Sequence, residues 1–242
     1  MPQNIYDEPA FFGGYSQLNR SVHGLAGATE WPVLRSMLPD MRSLRVVDLG
    51  CGYGWFCRWA AENGAGEVLG LDISEKMLER ARAQTADAAI AYRRVDLEEL
   101  SLPKASFDLA YSSLAFHYVE DAARLYRAIH DALVPGGRLV FSTEHPIFMA
   151  SGQHGWMATD GGGRIWPVDR YSVEGSRVTN WLGADVVKYH RTLATTINLL
   201  IGTGFRILRL DEFAPSAAQI EADPTLAEEV DRPMFLMVAA ER

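Results

Sequence analysis

The sequence predicts a doubly wound, mostly parallel α/β sheet with a small β-rich cap inserted after its fifth strand. Three observations predict it. From residue 44 onward, short β-branched or aliphatic runs alternate with segments of helical periodicity, the pattern of strands joined by crossover helices. The first run leads into a turn with three alternating glycines, Gly50, Gly52 and Gly54. After Thr143 the rhythm breaks for about 45 residues, far longer than the loops that ordinarily join such elements.

Taken in order, Leu44 to Leu49 reads as a buried strand, and a helix from about Tyr53 to Glu62 is closed by Asn63-Gly64, a left-handed stop. Glu67 to Leu71 is the second strand, and Ser74 caps a helix whose Met77, Leu78 and Ala81 share one face. Ile90 to Val95 and Phe107 to Tyr111 are the next two strands. Asp121 opens a helix striped by Leu125, Ala128, Ile129, Ala132 and Leu133, which Pro135-Gly136-Gly137 ends before a fifth strand, Arg138 to Ser142. Repeated β-α-β units of this kind imply right-handed crossovers. Helical rhythm returns near Arg191 on Leu193, Ile197, Leu200 and Ile201 and stops at Gly202 and Gly204, leaving Phe205 to Leu210 and Met234 to Ala240 as the last strands.

The expected organisation is an N-terminal arm and lid (1–43), a core (44–144), a cap (145–190), and a C-terminal helix with two strands that completes the core (191–242). In the arm, Phe11, Phe12 and Tyr15 surround Gly13-Gly14, a pair suited to hinge a lid.

Composition narrows the function. Apolar residues make up 48% of 242, ample for a core. Met1 to Pro9 carries Asp7 and Glu8 and no apolar run, so no secretory or transit segment is expected, and no stretch approaches the roughly 20 apolar residues of a membrane span. Cys51 and Cys57 lack C-x-x-C spacing. A cytoplasmic location is the expectation. The net charge of -8 argues against a nucleic-acid surface, and Arg93-Arg94 reads as a solvated strand end.

The chemistry concentrates at the glycine turn, Val46-Val47-Asp48-Leu49-Gly50-Cys51-Gly52-Tyr53-Gly54, where a strand passes into a helix and the backbone can approach a ligand. A dinucleotide site would need Gly-x-Gly-x-x-Gly, whose last glycine lets the helix pack near a pyrophosphate. Trp55 follows Gly54 instead, which disfavours a nicotinamide oxidoreductase. Asp72 ends the second strand at the distance expected of a carboxylate that accepts both hydroxyls of a ribose. Asp96, beside Leu97, is placed to accept from an exocyclic amine. There is no G-x-x-x-x-G-K-[ST] loop, no G-x-S-x-G turn and no H-E-x-x-H helix, and no metal is expected.

The glycine turn, Leu69-Gly70-Leu71-Asp72-Ile73-Ser74, Asp96, Phe107 to Ser113 and Leu133-Val134-Pro135-Gly136-Gly137 together resemble class I S-adenosylmethionine-dependent methyltransferases. The resemblance covers about residues 40 to 142 and, more loosely, the last helix and two strands. It implies that family's seven-stranded Rossmann-like sheet, with the final strand antiparallel beside the fifth, and S-adenosylmethionine as cofactor. It also implies roles: Asp48 and the backbone from Gly50 through Cys51, Gly52 and Gly54 near the methionyl part, Asp72 and Ile73 at the ribose, Asp96 and Leu97 at the adenine, Ser112 near the sulfur, and Tyr15 reaching in from the arm.

Methyl transfer from a sulfonium is a direct displacement that asks the protein mainly for alignment and exclusion of water. The expected acceptor is a small molecule beneath the cap, met by Trp156, Trp166, Tyr171, Trp181 and His190. A hydroxyl or amine acceptor calls for a base, and histidine suits neutral pH. His117 follows the fourth strand and His145 the fifth, so both are expected to open onto the crevice, with His145 preferred because it lies at the join between sheet edge and cap; His23 and His130 are remote, and His154 lies in the cap. A non-catalytic S-adenosylmethionine-binding regulatory module is the alternative from another class.

Overall fold

A computed structural model describes residues 4–152 and 155–242. Seven strands form one sheet: β1 (Arg45–Leu49), β2 (Glu67–Asp72), β3 (Ile90–Arg94), β4 (Phe107–Ser113), β5 (Leu133–Glu144), β6 (Arg206–Glu212) and β7 (Phe235–Glu241). Their spatial order is β6-β7-β5-β4-β1-β2-β3, and β7 is the antiparallel member, paired on either side with β5 and β6. Alternation along the strands divides the core in two, because successive side chains point to opposite faces. Val47, Leu49, Ala110, Leu139 and Phe141 pack against helices Ala122–Ala132 and Leu193–Thr203. Val46, Leu109, Tyr111 and Val140 face helices Trp31–Met37 and Trp55–Glu62, where Phe56 stacks on Tyr111 with ring centroids 3.6 Å apart.

The local signals explain the boundaries. Ser74, Asp121 and Thr192 accept backbone N–H bonds at the starts of their helices, and Gly64 and Gly204 close theirs with φ of 95° and 109°. One boundary differs from expectation. The helix from Ala122 ends at Ala132, and Leu133 already belongs to β5, so Pro135-Gly136-Gly137 lies inside the strand. There the β4–β5 register jumps from Phe107↔Leu133 to Leu109↔Arg138. Proline and glycine, which end helices, serve equally to bulge a strand.

After β5 the chain forms helix Pro146–Ala150, a short antiparallel pair (Met157–Ala158 with Arg164–Ile165) and a hairpin (Gly175–Trp181 with Ala184–His190). The hairpin turns through Leu182 and Gly183, both at positive φ, which matches the right-handed twist of its strands. Its tip meets the N-terminal helix Pro9–Tyr15, where Trp181 packs edge-on against Phe11 and Tyr15 at 5.3 and 6.1 Å. Gly13-Gly14 is therefore part of a helix rather than a hinge, and a Cβ at Gly14 would touch Leu182 at 3.6 Å. No helix among the described residues is long and apolar enough to cross a membrane.

Candidate functional site

The carboxyl ends of β1, β2, β4 and β5 open into a cavity of about 1150 Å³ that the N-terminal arm and the hairpin roof over. Of the residues expected at the site, Tyr15, Gly50, Gly52, Asp72, Ile73, Asp96, Leu97, His117, Trp166 and Trp181 line it. Gly52 has φ +52°, and a Cβ built there would meet nothing within 4 Å, so any side chain would stand in the space the cavity offers a ligand. Gly50 also has positive φ, and a Cβ there would come within 2.4 Å of Ala115.

Asp72 is fixed where β2 ends. One carboxylate oxygen accepts the Gly52 N–H at 2.8 Å and the other the Ser74 N–H at 2.9 Å. Burial pushes its carboxyl up to about 6, while those backbone donors pull it back. The arm is latched beside it: Asp7 accepts the Ser74 hydroxyl at 2.6 Å and the Lys76 N–H at 3.2 Å, and the Tyr6 and Tyr118 hydroxyls meet at 3.0 Å. Asp96 lies at the far wall and accepts the Glu98 N–H at 3.0 Å, with Leu97 buried next to it.

A recess of about 90 Å³ adjoins the cavity, sharing Tyr15, Arg20, Gly50, Gly52 and Ser113 with it. Asp48 and Cys51 belong to this recess. Asp48 accepts the Cys57 thiol at 3.3 Å, and burial raises its carboxyl to about 7. Burial pushes the Cys51 thiol well up, so it stays protonated and is no nucleophile. Trp55 lines the same recess, its indole Nε1 buried and without a hydrogen-bond partner, and the Arg20 guanidinium, held by Glu30 at 2.7 and 3.0 Å, adds a positive charge. Donors beside a carboxylate suit the two ends of an α-amino acid. Arg20 and Trp55 join the site without a sequence signal for that role, since Trp55 after Gly54 speaks in sequence only against a pyrophosphate.

Other expected residues lie elsewhere. Gly54 starts helix Trp55–Glu62 at φ +71°, and a Cβ there would collide with the Tyr92 hydroxyl at 2.2 Å. Ser112 points into the sheet and donates to Leu49 O at 2.7 Å; its neighbour Ser113 is the serine that opens onto the cavity, one residue on along β4 and so on the other face. His145 turns away from the crevice. Its Nδ1 accepts the Ile147 N–H at 3.1 Å as a helix cap and its Nε2 donates to the half-exposed Glu212 at 2.8 Å, and burial lowers its basicity against the pull of Glu212. His190 is buried and bonded to Tyr171 O at 2.8 Å, while the Tyr171 hydroxyl accepts the Leu193 N–H at 3.1 Å; both serve the cap's own structure. Trp156 donates to Glu228 at 2.7 Å and packs with Trp166 around the buried guanidinium of Arg232. His23 and His130 line neither space, and His154 lies outside the described residues.

His117 does face the cavity, next to Glu144 and Lys188. Its Nδ1 lies 3.4 Å from the Glu144 N–H and 3.5 Å from the Thr143 hydroxyl, which assigns the proton of the neutral ring to Nε2. Burial, followed by the positive charges of Lys188, Arg191 and Arg20, holds its basicity well below the ordinary histidine range. The ring is thus a hydrogen-bond donor toward the cavity and a poor base.

A family model described as a methyltransferase domain matches residues 47–141. The chain is 63% identical to an S-adenosylmethionine dependent methyltransferase from Mesorhizobium loti known from a crystal structure, with a TM-score of 0.88, 90% of this chain and 100% of that one being covered. An uncharacterised Haemophilus influenzae protein is 36% identical over 217 residues, 86% of this chain and 85% of its own. The malonyl-[acyl-carrier protein] O-methyltransferase of Enterobacter lignolyticus is 37% identical over 127 residues, 52% of this chain, and the chain spans about half of that relative, 49%.

Proposed function

Because the chain belongs to the S-adenosylmethionine-dependent methyltransferases, we propose that it moves the cofactor's methyl group to a small-molecule acceptor held between the sheet edge and the cap. The observation that carries the reading is that one cavity has both walls: Gly50, Gly52, Asp72 and Asp96 on one side, and His117, Glu144, Trp166 and Trp181 on the other. At about 1150 Å³ it exceeds the roughly 300 to 1,000 Å³ of ordinary single-ligand pockets, leaving room for two. In this reading 1–43 is the arm and lid, 145–190 the cap, and 44–144 with 191–242 the body.

S-adenosylmethionine supplies an electrophilic methyl on a sulfonium, which an acceptor lone pair displaces in line. The chain's residues do the rest. Asp72 accepts from the ribose hydroxyls, Asp96 and the Leu97 backbone meet the adenine, and Asp48, Arg20 and Trp55 Nε1 hold the ammonium and carboxylate of the methionyl end. Tyr15, Tyr6 and Trp181 exclude water above the reacting atoms. His117 orients the acceptor by donating from Nε2. The Enterobacter relative acts on a malonyl group carried by a protein, but its similarity spans only the shared half.

The test is acceptor-dependent formation of S-adenosylhomocysteine across a panel of small amines, alcohols, thiols and acids. Once an acceptor is found, His117→Ala is expected to reduce kcat by about tenfold or more and leave cofactor affinity within twofold, as removal of an orienting hydrogen bond should. His145→Ala should lower thermal stability through loss of a cap, roughly 0.5 to 2 kcal/mol, with unchanged turnover per folded molecule. Cofactor binding with no acceptor-dependent product from any class would instead favour the regulatory module.

A further inference from the structure

Resting on that reading, we propose that the acceptor is an amine and that Glu144 is the residue that anchors its N–H and takes its proton. Among the described residues lining the cavity, Glu144 Oε2 is the one buried side-chain polar atom that makes no hydrogen bond. An orphan carboxylate oxygen in a protein interior is costly, and a donor brought by a ligand removes that cost. The other oxygen, Oε1, is held by the buried ammonium of Lys188, which fixes the carboxylate and leaves Oε2 as the oxygen still without a partner.

The charges of the wall select the donor. Among the described residues lining the cavity, six carboxylates, Asp72, Asp96, Glu98, Glu99, Glu120 and Glu144, face two cations, Arg20 and Lys188, both already paired with glutamates. A carboxylate or phosphate acceptor would find repulsion, with Lys188 paired to Glu144 and Arg20 assigned to the methionyl end of the cofactor, whereas a protonated amine is drawn in. Around Glu144 the wall is aromatic, with Tyr118, Phe148, Trp166 and Trp181, which suits an amine on a planar or apolar frame.

The roles then divide by chemistry. His117 Nε2 carries a proton, so it neither bonds the ammonium nor takes its proton and donates instead to a polar group elsewhere on the acceptor, while the proton leaving the ammonium passes to Glu144 Oε2. The nitrogen lone pair so released forms the new N–C bond as the C–S bond breaks, with its electron pair leaving on sulfur. The products are the methylated ammonium, S-adenosylhomocysteine and a Glu144 carboxylic acid that returns its proton to solvent when the cavity opens.

Matched probes test this. Protein saturated with S-adenosylhomocysteine is titrated with tryptamine and phenylethylamine, and with indolepropanoate and phenylpropanoate as anions on the same frames, following thermal stability and binding heat. The amines are expected to stabilise the protein saturably and the acids are not. Glu144→Gln should weaken amine binding by about tenfold or more while holding S-adenosylhomocysteine affinity within twofold. Should that variant fail to fold with Lys188 left unpaired, Glu144→Gln/Lys188→Met removes both charges and is expected to show the same loss. Acids that bind as well as the amines, amines that do not bind, or amine affinity indifferent to Glu144 overturns the proposal. Failure of wild-type protein to bind S-adenosylhomocysteine is a separate result, which would overturn the underlying reading instead.

Discussion

Asp72→Asn is expected to weaken S-adenosylmethionine binding by about 10²-fold. The carboxylate would accept from two ribose hydroxyls, and hydrogen bonds to a charged group contribute roughly 1.5 to 3 kcal/mol each. Asparagine keeps the shape but offers one acceptor oxygen and turns a donor toward either a hydroxyl or the backbone N–H groups of Gly52 and Ser74. The pH dependence follows from the same group. Burial raises the Asp72 carboxyl to about 6 in the ligand-free protein, and binding requires the ionised form. Asp48, raised to about 7 where the ammonium is held, titrates in the same window, so affinity should be level above about pH 7 and fall in two steps below it, and Asp72→Asn should remove the lower step alone. Calorimetric titrations between pH 5 and pH 8 check both; an affinity indifferent to Asp72 at every pH would take the ribose away from this residue.

Arg232→Ala carries the largest expected loss of stability, about 3 to 5 kcal/mol. Arg232 is 4% exposed, its guanidinium paired with the similarly buried Glu229 and lying over the rings of Trp166 at 4.2 Å, Phe148 at 4.6 Å and Trp156 at 5.6 Å. Removing one member of a buried pair leaves the other charge uncompensated, and burial already raises the Glu229 carboxyl against the pull of Arg232. In a chain of this size each kcal/mol corresponds to roughly 2 to 4 °C in Tm. Arg232→Met/Glu229→Gln, which removes both charges, should recover much of the loss. Equal destabilisation of the single and double variants in thermal melts would mean that the aromatic packing, not the charge pair, holds this corner.

The body of the fold was legible in the sequence because the signals there are local. Val46 to Leu49 alternates between two buried faces, Ser74 and Asp121 cap at the positions their spacing suggests, and Asp72 ends its strand beside the glycine turn. Where two local signals meet, the reading slipped by a residue or a turn: Pro135-Gly136-Gly137 suggested a stop and is a bulge, and Ser112 was expected where Ser113 stands.

The acceptor side was less legible because its partners are distant in sequence. Nothing near Trp156 or Trp166 announces that they close on Arg232, nor does anything near His145 announce Glu212 across the sheet. Glu144 and Lys188 come from opposite ends of the cap and meet only in the fold. Position in the sequence favours His145 over His117, and one hydrogen-bond partner each reverses that order: Glu212 draws the first away, and the Glu144 N–H turns the second into a donor.

The most direct test of the central claim is a crystal structure of the protein with S-adenosylhomocysteine. The account predicts the ribose hydroxyls within hydrogen-bond distance of Asp72, the adenine beside Asp96 and Leu97, the amino-acid end in the recess of Asp48, Arg20 and Trp55, and the sulfur facing the space between His117 and Glu144. Ligand bound elsewhere, or bound with Asp72 still engaged only by Gly52 and Ser74, would contradict it.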